Sequence, residues 1–113
     1  MKQFALLFRQ PSYDINAKPA EEIRKLAIKW KEWIGGIEEQ GKLKSGVRLV
    51  DNGKVLKSEG VVSDGPFVEI RERLGSLLVV TAENLEEALT LAHGCPALDA
   101  GGSVEVREVL GSR

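Results

Sequence analysis

The chain has 113 residues, 42% hydrophobic and 29% charged, with a formal net charge of −1. That length leaves room for one domain and no second core. The balance excludes intrinsically disordered and membrane-embedded classes, and a near-neutral chain offers no global basic field for nucleic acid. The single cysteine, Cys95, excludes an intrachain disulfide and a Cys-x-x-Cys metal pair. The opening Met-Lys-Gln-Phe-Ala-Leu-Leu-Phe-Arg resembles a signal start only superficially. Its five-residue apolar run ends at Arg9, short of the ~7–15 residues a signal core needs. No stretch approaches the ~20 apolar residues of a membrane span, so a cytoplasmic protein is expected.

Residues 3–9 read as a strand that is apolar on both faces, with Phe4, Leu6 and Phe8 on one side and Ala5 and Leu7 on the other. A strand of that kind is covered on both sides. Pro11 to Lys18 reads as a polar loop, and Pro19 suits a first helical turn, followed by Glu21 and Glu22 where the helix dipole favours acids. Ile23, Leu26, Ala27, Trp30, Ile34 and Ile37 then fall on one stripe at 3.6 spacing, with Trp33 on its shoulder and Gly41 as the stop. Gly35-Gly36 inside this helix costs about 1 kcal/mol per glycine relative to alanine. It marks a weakened last turn, a close approach to a strand, or a hinge.

Leu43 to Val50 has strand character. Asp51-Asn52-Gly53 is a reverse-turn signal after which Lys54 to Glu59 is expected to pair back as a hairpin. Val61 and Val62 lead into Asp64-Gly65-Pro66-Phe67, which is turn chemistry: a carboxylate to accept from nearby amides, a glycine free in φ, and a proline with φ fixed. Val68 to Arg73 alternates apolar and charged residues until Gly75 interrupts it, and Ser76 to Ala82 is a further apolar strand. Asn84 reads as an N-cap with Glu87 at capping-box distance. Leu85, Ala88, Leu89 and Ala92 form a second helical stripe closed by Gly94 and Pro96. Ser103 to Val109 alternates, with Val104 and Val106 inward and Glu105 and Arg107 outward.

This order predicts an α+β fold: a ferredoxin-like split β-α-β arrangement with an added hairpin. Two helices cover one face of such a sheet. The other face, carrying Ala5 or Leu7, Val50 and two of the residues Leu77 to Val80, is too apolar for water. A homodimer that packs two sheets face to face around a cleft would bury it.

Several stretches taken together resemble the YCII-related family and its DGPF-motif branch across nearly the whole chain. They are Phe4 to Phe8, Asp64-Gly65-Pro66-Phe67 with Glu69, Asn84-Leu85-Glu86-Glu87-Ala88, Cys95-Pro96, and Gly101 to Arg107. The resemblance implies a single domain over residues 1–113 and a dimeric α+β barrel. It also implies kinship with small-ring isomerases and dehydrochlorinases, and in some members an association with alternative sigma factors. In shorter YCII-type members an aspartate pairs with a first-helix histidine as an acid-base couple. Asp64 matches the aspartate. The histidine has no counterpart in Pro19-Ala20-Glu21-Glu22-Ile23, and the single histidine, His93, lies at the end of the second helix.

Asp64 is thus read in two compatible ways, as a proton acceptor in a desolvating cleft or as an Asx cap of its turn. Arg9, Arg48, Arg71 and Arg107, with Glu69 and Glu105, are candidates to hold an anionic or carboxylate ligand through guanidinium contacts. Cross-strand ion pairing is the competing reading. His93 fits a helix C-terminus, Cys95 a small apolar filler, and Trp30 and Trp33 core or dimer-rim packing. One histidine, one cysteine and scattered carboxylates predict no metal site, and no glycine-rich phosphate loop is present, so no cofactor is expected. Two function classes remain: a small-molecule-binding protein with lyase or isomerase-type proton transfer, and a non-catalytic, transcription-linked regulatory or ligand-sensing module.

Overall fold

Alternation along the first strand, β1 (Lys2–Pro11), sorts its side chains: Phe4, Leu6 and Phe8 are buried, while Ala5 and Leu7 are half-buried. A computed structural model describes this strand and the rest of residues 1–11, 19–50, 53–64 and 72–111. β1 lies at the centre of a four-stranded antiparallel sheet. On one side it pairs with β5 (Glu72–Ala82) in the register Phe4↔Val80 and Leu6↔Leu78. On the other it pairs with β6 (Ser103–Glu108) in the register Leu6↔Val106 and Phe8↔Val104. β2 (Leu43–Arg48) adds to the far edge of β5, giving the order β2-β5-β1-β6. A central first strand flanked by the third and fourth sheet strands is the ferredoxin-like topology that the order of elements predicts.

The helices cover one face of this sheet. α1 (Ala20–Glu39) places Trp30, Trp33 and Ile34 against the core and buries Ile37. Phe8, Trp30 and Trp33 meet edge to face, with ring centroids 5.2 to 5.8 Å apart. That geometry adds about 0.5–1.5 kcal/mol per pair beyond area burial. α2 (Leu85–Ala92) buries Ala88 and Ala92, small residues that bring the helix close to the strands. Its N-cap is Asn84, whose side chain accepts from the Glu87 amide at 2.9 Å. The Glu87 carboxylate instead meets Lys42 Nζ at 3.0 Å, tying the helix start to the residue before β2.

A short α3 (Pro96–Asp99), which the sequence pattern does not predict, follows Gly94 and buries Cys95, Pro96 and Ala97. Gly102 then passes so close to β1 that an added Cβ would overlap the Arg9 carbonyl oxygen and stand 3.0 Å from that of Ala97. Those neighbours are backbone and cannot swing aside.

Four local expectations are corrected. Lys54 to Glu59 does not pair back on the preceding strand. β3 (Lys54–Lys57) pairs instead with β4 (Gly60–Asp64), and the two form a sheet of their own. The edge of β5 is a longer, more apolar partner for β2 than four residues of Lys-Val-Leu-Lys could be. Gly75 does not interrupt a strand either. The register steps from Phe8↔Ser76 to Arg9↔Leu74, so Gly75 is the extra residue of a β-bulge inside β5. Ala27 is exposed, because the α1 stripe turns toward Trp33 rather than toward Ala27. Gly35 and Gly36 lie within a continuous helix, with nothing within 4 Å of an added Cβ, so no strand approaches them. The Asp51-Asn52 turn, residues 65–71 and the loop 12–18 lie outside the described residues.

No helix among the described residues is long and apolar enough to cross a membrane.

Candidate functional site

α1 does not seal the β2 edge of the sheet. Between them is an open cleft of about 350 Å³, lined from α1 by Ala27, Trp30, Lys31 and Ile34 and from the strands by Leu43, Gly46, Val47, Arg48, Ser76 and Leu78. The helix contributes by its period: residues 27, 30, 31 and 34 share one flank. The strands contribute by the pleat. Leu43, Gly46 and Arg48 pair with Val80, Leu78 and Ser76 respectively, and these partners stand on the helix-facing side. A bulge between Leu43 and Ser45 resets the alternation so that Gly46 and Arg48 share that side.

Gly46 lets the Leu78 side chain lie against the β2 backbone. A Cβ there would overlap the Leu78 Cδ2 methyl, which occupies the space a side chain would need. Apolar walls with a few polar groups, in a volume near the lower end of the ~300–1,000 Å³ range, suit a small molecule.

The cleft's charge is cationic. Of the arginines whose side chains are described, Arg9 meets Glu105 at 2.6 Å, Arg24 pairs with Glu21, and Arg107 stands 3.8 Å from Glu105. Among the described residues Arg48 has no carboxylate partner, and neither does Lys31. The described lining contains no carboxylate, histidine or cysteine; Ser76 supplies its hydroxyl.

The candidates read from the sequence therefore separate. Arg48 lines the cleft. Arg9 and Arg107 lie on the opposite face of the sheet, where they share Glu105. Asp64 ends β4, in register with Lys54, and Arg71 and Glu69 lie outside the described residues. His93 caps α2 and is exposed, and Cys95 is fully buried, its thiol pushed up by desolvation. Among the described residues no three histidine, cysteine, aspartate or glutamate side chains gather as a metal site. Sequence reasoning misses Lys31, Gly46 and Ser76. The one signal that points to them is Gly46 itself, since a glycine inside a strand marks a close approach.

The sheet order and one-sided helices define a ferredoxin-like α+β protein. The YCII-related domain matches residues 12–112, and the chain belongs to that family. No curated protein matches it in sequence. Among solved structures it is similar in fold to 5-chloro-2-hydroxyhydroquinone dehydrochlorinase (TftG) from Burkholderia phenoliruptrix AC1100, in complex with 2,5-dihydroxybenzoquinone. The TM-score is 0.51 and the identity 15%, over 96% of this chain and 95% of that one.

Proposed function

We propose that this chain is a DGPF-branch YCII-related protein that binds a small organic molecule in the cleft between α1 and the β2–β5 edge. In this reading it is one domain over residues 1–113, acts in the cytoplasm and performs lyase or isomerase-type proton transfer. The observation that carries the reading is the cleft itself: apolar walls beside an Arg48 that has no carboxylate partner among the described residues. A dehydrochlorinase of similar fold is consistent with elimination chemistry. Asp64 is the proposed proton acceptor and Arg48 the anion holder. Arg71 remains a proposed second holder, whereas Arg9 and Arg107 serve better as ion-pair partners of Glu105.

The chain acts as a homodimer in this proposal. The sheet face away from the helices presents Ala5, Leu7, Leu74, Leu77 and Val79, and a second copy is the natural cover for it.

A second reading, a non-catalytic ligand-sensing module linked to transcription, is favoured by one observation: the described cleft lining holds no carboxylate, histidine or cysteine. The two readings separate with 2,5-dihydroxybenzoquinone as probe. Its binding is followed by tryptophan fluorescence, and exchange of its ring hydrogens with deuterated solvent is followed by NMR. Accelerated exchange that is lost in Asp64→Asn, with melting unchanged, supports the enzyme. Binding without acceleration leaves the sensor. Absence of binding removes the small-molecule reading for this chemistry.

A further inference from the structure

Resting on the small-molecule reading above, we infer that the cleft selects flat organic anions, with Arg48 setting the preference for charge and the Trp30 wall the preference for a flat face. Three observations converge. The only described arginine side chain without a carboxylate partner is the one that lines the cleft, and Lys31 beside it is likewise unpaired. An arginine held at a strand end with no internal partner presents its planar fork to whatever enters, and that fork matches a carboxylate or an enolate in two parallel hydrogen bonds.

Trp30 forms the opposite wall. Its indole is fixed edge to face against Phe8 and Trp33, with centroids 5.2 and 5.8 Å away, so it cannot rotate freely out of the cleft. A rigid aromatic wall favours an occupant with a flat face over a bulky saturated one. Gly46 supplies the third element. A side chain there would collide with the Leu78 Cδ2 methyl, and Leu78 itself lines the cleft, so the shape of that wall depends on the glycine.

The ligand class is thus a single ring, or an equally flat conjugated fragment, bearing one delocalised negative charge. The charge sits toward Arg48 and Lys31, and the ring lies between Trp30, Ile34 and Leu78. The volume of about 350 Å³ admits one such ring with small substituents.

The test uses three probes that differ in one property each: benzoate, its neutral isostere benzamide, and acetate. Tryptophan fluorescence reports binding, and amide chemical shifts of Gly46 and Ser76 locate it. The expected result is that benzoate binds at least tenfold more tightly than benzamide and at least tenfold more tightly than acetate. Arg48→Ala reduces the benzoate-to-benzamide ratio to below about threefold, and Arg48→Lys restores it in part. Gly46→Val, which must displace Leu78 from the cleft wall, weakens binding of both rings. Equal binding of benzoate and benzamide, or an unchanged ratio in Arg48→Ala, overturns the anion selectivity while leaving a small-molecule cleft. No response of Gly46 or Ser76 to any of these probes or to 2,5-dihydroxybenzoquinone removes the site altogether. Arg48 is exposed, so its substitution is not expected to disturb folding. The proposal therefore stays open to refutation even where Gly46→Val fails to fold.

Discussion

The two faces of one sheet are made by the same strands and both carry apolar residues, yet they have different structural fates. On the helix side Phe4, Leu6, Phe8, Leu78, Val80 and Ala82 are buried to 5% exposure or less. On the other side Ala5, Leu7, Leu77 and Val79 alternate with them and stay half-buried, bordered by the Arg9–Glu105–Arg107 group. What differs is what lies above each face. The lesson is that hydrophobic pattern assigns residues to faces, while only the inventory of helices says which face the chain can cover by itself.

The sharpest way to break that comparison is a pair of adjacent substitutions. Phe8→Ala is expected to cost about 3–5 kcal/mol in urea unfolding, and Leu7→Ala, one residue earlier, less than half as much at low protein concentration. Equal losses would mean that the two faces are equally closed within one chain. Next in size, Gly102→Ala should cost about 1–3 kcal/mol, because the new methyl collides with backbone that cannot yield. Thermal melting checks this, and an unchanged midpoint would show that the α3–β6 connection can yield to the methyl.

The open face gives a smaller, concentration-dependent effect. Leu77→Arg is expected to weaken self-association at least tenfold, about 1.4 kcal/mol, in sedimentation equilibrium, with little change in the unfolding of the separated chain. An unaffected assembly would assign the face to some other partner. Gly35→Ala lies in a helix with free space around it and should stabilise by about 0.5–1 kcal/mol. A loss instead would reveal a bend needed there.

Smallest at neutral pH is the contribution of Cys95. Burial raises its thiol above the ordinary value near 9, so both folded and unfolded chains hold the proton at pH 7 and the shift adds nothing. As pH rises past 9, the unfolded chain releases the proton first, and stability should fall from there up to the raised folded value. Native protein should also resist iodoacetamide until it is unfolded.

Much of this is legible in the residues. The β1 alternation, the α1 stripe, the Asn84 cap and the inward Val104 and Val106 follow from period and local chemistry, and those signals survive in any context. The pairing of Lys54 to Glu59 is not legible, because a turn signal says that the chain reverses, not which strand edge wins the reversed segment. Nor is the Gly75 bulge, because a glycine between two strand-like runs looks the same whether it ends a strand or shifts its register. For the site, Arg48 is visible as a candidate, but its separation from Arg9 and Arg107 depends on the pleat and on the bulge in β2. Lys31 and Gly46 acquire meaning only when α1 lies across that edge.

β2 and β5 are antiparallel neighbours, and a two-residue turn is enough to join such a pair. The chain instead runs through residues 49–71 between them, with β3, β4 and the Asp64 motif on the way. The sheet does not require this detour for its topology. The order β2-β5-β1-β6 does not depend on these residues, so a shorter connection from Arg48 to β5 is compatible with the same four-stranded sheet. Variation within residues 49–71 is then free to reshape this excursion without first renegotiating how the sheet folds.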